Sequence, residues 1–179
     1  MSIIEHLNKP EYVHVLLNPL PVYGLAVGVV GLIIALLLRS RAARVTALAL
    51  VMLSAASAWP AYEYGEAGYD RVKAMVDEEG DKWLEEHMRR GEKLIYIFYF
   101  VAALCAAGII AEFAIPKAAV PITIATMMLA AVNLYVGTYI AQAGGRVRHK
   151  EFRFQSPPES STTTSDNPGV FSVGPRLTG

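Results

Sequence analysis

The chain is 179 residues long, 54% hydrophobic and 18% charged, with a formal net charge of zero. That length points to one domain, and the apolar share exceeds what a soluble domain of this size needs. With this neutral balance nothing reads as a nucleic-acid binder, which would want a basic face.

The first residues are polar and carry His6. From residue 15 the sequence turns apolar, and "VLLNPLPVYGLAVGVVGLIIALLL" fills 15–38. A helix of about 20 residues crosses a ~30 Å hydrocarbon core, and in lipid the backbone must satisfy its own polar groups, so a helix is predicted. His14 opens it. Asn18, Pro19 and Pro21 predict an irregular first turn. The run is too long for a signal peptide, and "RSRAAR" follows it instead of a cleavage site. Gly24, Gly28 and Gly31 form one stripe, suited to close helix packing or to leaving room for a flat cofactor.

A second run, "VTALALVMLSAASAWPAY", spans 45–62. The short basic link before it predicts a tight hairpin. At the exit of this run Trp59, Tyr62, Tyr64 and Tyr69, with Asp70, form an interfacial aromatic belt. The same residues could serve a quinone headgroup.

The connection 63–93 is charged and reads as helical. Val72, Met75 and Val76 fall at helical spacing, and so do Trp83, Leu84, His87 and Met88. Gly80 is expected to break the pattern between two short cap helices, the second running on into the third span. "DEEGDKWLEE" fails as a calcium loop, because its glycine and acids fall at the wrong positions. It reads as a solvated face.

The third run covers 94–115 and the fourth 120–143, joined by a second tight hairpin at "PKAA". The single cysteine, Cys105, lies inside the third run. Alone it can form neither an internal disulfide nor a metal centre, and it reads as a packing residue. Ala102, Ala103, Ala106, Ala107 and Ala111 form a small-residue stripe like that of the first span. Among intramembrane polar groups, Glu112 is expected to pair with Lys117 at the hairpin, and Asn133 to hydrogen-bond a neighbouring helix. There is no chain of acids or histidines across the bilayer, which argues against a proton pump. There is no broken-helix repeat, which argues against a secondary transporter.

After "GGRVRHKEF" comes a Ser/Thr/Pro/Gly-rich tail, 154–179, too poor in apolar residues to fold alone. Such a tail is ordered only where a partner holds it. Trp83, His149, Phe152 and Phe154 are the expected partner contacts.

Four spans put both termini and the 63–93 connection on one side of the membrane, together with every histidine. Basic residues favour conflicting orientations: Arg39, Arg41 and Arg44 mark the first hairpin as cytoplasmic, while Arg146, Arg148, Lys150 and Arg153 mark the other side. The acidic connection tips the reading towards termini facing the periplasm. His14 and His87 open parallel helices and so lie at similar depth. Two imidazoles on different helices can clamp a haem iron axially, with Met88 as an alternative ligand. Equally, both can be interfacial histidines bonded to water, headgroups or the connection.

The layout, with "HVLLNPLPVYGLAVG" opening the first helix, a histidine ahead of the third and "GGRVRHKEF" after the fourth, resembles a bacterial family of small four-helix membrane proteins of unknown function with a cytochrome-b-like arrangement. The resemblance covers about residues 10–153. It implies roles for His14 and His87, and a Gly-Gly turn at Gly144 and Gly145. The long connection and the tail depart from the family pattern, as do Asn18 and Pro19.

The sequence therefore predicts an all-α, integral membrane four-helix bundle of two hairpins in the bacterial inner membrane, with a helical cap and an extended tail. The less demanding function is a non-catalytic accessory subunit of a respiratory or photosynthetic electron-transfer complex. It would carry no cofactor and would contact lipid and other subunits. The alternative is a haem-b-binding anchor that passes electrons between a quinone and a partner subunit.

Overall fold

The computed structural model describes residues 3–158, mostly helical with no strand among them. Residues 159–179, most of the predicted tail, lie outside the described residues. A short α1, Ile3–Leu7, precedes four helices long and apolar enough to cross a membrane: α2, Pro10–Leu37; α3, Arg41–Ala67; α5, Glu78–Ala114; and α6, Pro116–Arg148. The small α4, Tyr69–Lys73, links the two halves.

The expected irregularity of the first span is a π-helical turn, Leu20–Gly24, just after Asn18 and Pro19. A proline lacks the N–H that would continue the α-helical ladder, and a wider turn absorbs the mismatch. In α3 the analogous interruption is a turn at Ser57, three residues before Pro60. The hydroxyl of Ser57 donates to the Ser54 carbonyl at 2.7 Å.

The connection breaks just before residue 78, not at Gly80. Asp77 caps α5, and its carboxylate accepts from the Gly80 N–H at 2.9 Å. Glu78, Glu79 and Asp81 then place negative charge on the first turn, where the helix dipole favours it. Gly80 is small for a different reason: a Cβ there would stand 2.6 Å from the Val147 carbonyl oxygen. With 37 residues, α5 is about 55 Å long, well over the ~30 Å thickness of a hydrocarbon core.

Each hairpin is zipped along its length. In the first, Gly24, Gly28 and Gly31 face Ser54, Val51 and Ala47, so this stripe serves backbone approach and leaves no room for a cofactor. In the second, Gly108 meets Ile122 and Gly137 meets Phe98. The alanine stripe of α5 is not a single interface: Ala111 is buried, but Ala103 and Ala107 face outward. Leu25, Leu32, Leu48, Val51, Ile95, Phe98, Val101 and Cys105 form the central core. The outer surface carries Val27, Leu37, Phe100, Ile110, Met128 and Tyr135, a shell suited to hydrocarbon.

At the hairpin end, Glu112 pairs with Arg44, not with Lys117. Arg44 donates from Nε and a terminal nitrogen, the latter at 2.8 Å, and the carboxylate is 2% exposed. The planar guanidinium matches a carboxylate with two parallel bonds, which a lysine cannot do. This bond ties α3 to α5 across the hairpin junction. Asn133 is also a departure: it is fully buried, and neither side-chain atom has a partner among the described residues.

Candidate functional site

At the opposite end of the bundle His14 and His87 meet. Their ring centroids are 6.0 Å apart, with planes at 76°. The His14 Nδ1 lies 2.6 Å from the Ala61 carbonyl, and the His87 Nδ1 lies 3.0 Å from the Ile140 carbonyl. A carbonyl only accepts, so each Nδ1 carries the hydrogen, and in the neutral ring Nε2 then keeps the lone pair. No hydrogen-bond partner of either Nε2 occurs among the described residues.

The two surroundings repeat each other. The residue four positions beyond each accepting carbonyl is a glycine, Gly65 after Ala61 and Gly144 after Ile140, and each glycine lies against its histidine ring. A Cβ on Gly65 would fall 2.8 Å from the His14 Nδ1, and one on Gly144 would fall 3.0 Å from the His87 Cε1. Both hairpins thus use one device: a histidine from the outgoing helix, and a carbonyl and a glycine from the returning helix. The matching sequence pieces are "AYEYG", 61–65, and "IAQAG", 140–144. That recurrence was the available signal for Gly65.

Gly144 and Gly145 do not form the turn implied by the family resemblance. They continue α6 to Arg148, and Gly144 serves as the seat of the His87 ring.

The histidines stand between two hollows. The deeper one, about 70 Å³, is a narrow slot with walls from Pro21, Val22, Ala58, Ile95, Phe98 and Gly137. The outer one, about 240 Å³, is reached past Val72, Leu84 and Arg148. His14, His87, Asn18, Gly65 and Met88 border both. Each hollow by itself is smaller than the ~300–1,000 Å³ typical of ligand sites, so a larger group would have to bridge both. Met88, with its soft thioether, therefore borders the same opening as the pair.

A polar clasp holds the His87 turn in place. Arg90 is 6% exposed, stacks 3.7 Å from the Tyr139 ring centroid and donates to the Tyr139 carbonyl at 2.7 Å. Glu86 accepts from both Arg89 and Arg90. The carbonyls of Tyr139 and Ile140 thus fix two side chains about one turn apart on α5, Arg90 and His87.

The other expected site residues lie elsewhere. Trp83 is 1% exposed, packed with Leu84, Ala143 and Val147 and covered by Arg146, so its surface is used inside the chain. His149 bonds Glu151 and lies against Phe152, while Phe154 is 83% exposed. Arg153 locks this end down. It donates to Asp77 and to the Arg146 and Val147 carbonyls. With Lys150 also bonding it, the Asp77 carboxyl is held well below the usual carboxylate range, the Arg153 contact being the largest cause.

No group of three or more His, Cys, Asp or Glu side chains able to hold a metal ion occurs among the described residues. Comparison with family models, curated proteins and solved structures finds no match to this chain.

Proposed function

We propose that the chain is a four-helix membrane protein that binds a b-type haem between His14 and His87. The observation that carries the reading is the pair of matched imidazoles, each with Nδ1–H fixed on a carbonyl and Nε2 bare. Ligating histidines are commonly oriented in this way, by a hydrogen bond from the other ring nitrogen. His14 and His87 would hold the group through nitrogen–metal bonds of about 2 Å each, which requires the two rings to lie close together. The rings stand at 6.0 Å. That distance also suits simple edge-to-face packing, but packing alone gives no reason for two matched carbonyl bonds and two matched glycines.

The flanking residues fit a flat group. His14 and His87 come from α2 and α5, while Ala58, Ala61 and Gly65 on α3, and Gly137, Ala141 and Gly144 on α6, border the slot with small side chains. Arg148, at the rim of the outer hollow, suits an acidic cofactor edge turned towards water. When bound, haem supplies one-electron redox chemistry. The protein contributes ligation, burial and hydrogen bonds to the ligands. The site lies near one end of the bundle, as an anchor exchanging electrons with a partner requires. The exposed Phe152 and Phe154 nearby suit a subunit contact.

The test is the visible spectrum of protein purified in mild detergent from haem-replete cells. The expected result is a Soret band in the native protein that is lost in His14→Ala and in His87→Ala. A colourless native preparation, after haem reconstitution has also been attempted, overturns the reading and leaves a cofactor-free accessory subunit.

A further inference from the structure

A third hollow lies one side chain away from the histidine slot. It is a lateral cleft of about 440 Å³ between α3 and α5, bordered by Trp59, Tyr62, Glu63, Glu92, Tyr96 and Tyr99. Tyr62 and Ile95 border both this cleft and the histidine slot, so they are the wall between them. We propose that the cleft binds the headgroup of a lipid-borne hydroquinone, a choice that rests on the haem reading for the neighbouring slot.

Three observations select this ligand. First, Trp59 and Tyr96 are 60% and 70% exposed on the flank of the bundle, at the edge of its apolar belt. A ligand that arrives there comes from the bilayer. Second, Glu63 and Glu92 have no ion-pair partner among the described residues. They repel an anionic phospholipid headgroup and accept hydrogen bonds from two phenolic hydroxyls. Third, aromatic side chains stack against a flat ring, and Tyr96 and Tyr99 stand edge to face with centroids 6.1 Å apart. A lipophilic organic cation would also suit carboxylates and aromatic faces. The wall shared with the histidine slot favours the hydroquinone, because a cation gains nothing from a redox neighbour.

The experiment is anaerobic calorimetric titration of the protein in lipid nanodiscs with decyl-hydroquinone, its dimethyl ether and decyltrimethylammonium. Saturable hydroquinone binding is expected, weakened about ten-fold or more in Glu63→Gln/Glu92→Gln, in line with hydrogen bonds to charged groups. The ether, which has no hydroxyl to donate, is expected not to bind. Equal binding of the ether, indifference to the glutamate substitutions, or tighter binding of the ammonium compound overturns the proposal. The readout is heat, not haem absorbance. A colourless protein that still binds hydroquinone therefore sinks the haem reading alone, and a coloured protein that fails to bind it sinks this inference alone.

Discussion

Glycines decide how the histidine rings sit. Alanine is the better helix former by about 1 kcal/mol, so replacing Gly65 or Gly144 should not weaken either helix. The added methyl would nevertheless press on the ring, more severely at Gly65, where it meets the imidazole nitrogen at 2.8 Å, than at Gly144, where the nearest ring atom is 3.0 Å away. Gly65→Ala is expected to lose most of the Soret absorbance per protein, and Gly144→Ala part of it, with a lower thermal midpoint where haem is lost, because a ligand bound only by the folded state stabilises it. Equal haem content in both variants and the native protein would show that the glycines have nothing to do with a ligand. His14 and His87 could be read from the sequence as equal in depth, because parallel helices impose that. Their ring distance and hydrogen bonds could not, since the partners lie 47 and 53 residues away.

Helices are held at both ends by charges the sequence left ambiguous. The Arg44–Glu112 pair is buried at the hairpin end. Removing one partner of a buried pair strands the other charge, at a cost of about 3 kcal/mol. Glu112→Ala should lower the unfolding free energy read from a mixed-detergent titration by that order, and Glu112→Gln, which still accepts a hydrogen bond, by less. Lys117 was the nearer candidate along the chain, and only the packing of α3 on α5 brings in Arg44.

The other end depends on Asp77. Its carboxyl is depressed in the folded state, chiefly by Arg153. The sign follows: this contact contributes fully above the unfolded carboxyl value of about 3.9. It is lost only as pH falls through the lower folded value. The 150–153 segment should therefore stay protease-resistant at pH 5 and become cleavable under strong acid, with pepsin as the low-pH protease. Asp77→Asn should make it cleavable at pH 7 as well. Cleavage in the native protein already at pH 5 would contradict the latch.

For the molecule as a whole, the four apolar helices were legible because length and hydropathy are local properties. The break before α5 was misplaced at Gly80, because a glycine signals freedom in the sequence while its reason here is the Val147 carbonyl opposite. The stripe Gly24, Gly28 and Gly31 left two uses open, and the facing side chains of α3 settle it as packing. The small residues that could flank a cofactor sit instead on the returning helices, spaced among Trp, Tyr and Gln, where no single-helix pattern marks them. What singles them out is that the two hairpins repeat the same histidine, carbonyl and glycine arrangement.

The central claim is paired ligation by two imidazoles whose planes stand near perpendicular, at 76°. Low-temperature electron paramagnetic resonance of the oxidised protein tests it most directly. The account predicts a low-spin ferric signal of the strongly anisotropic type given by crossed imidazole planes, absent from His14→Ala and from His87→Ala. A high-spin signal, or no haem signal in the native protein, would contradict it.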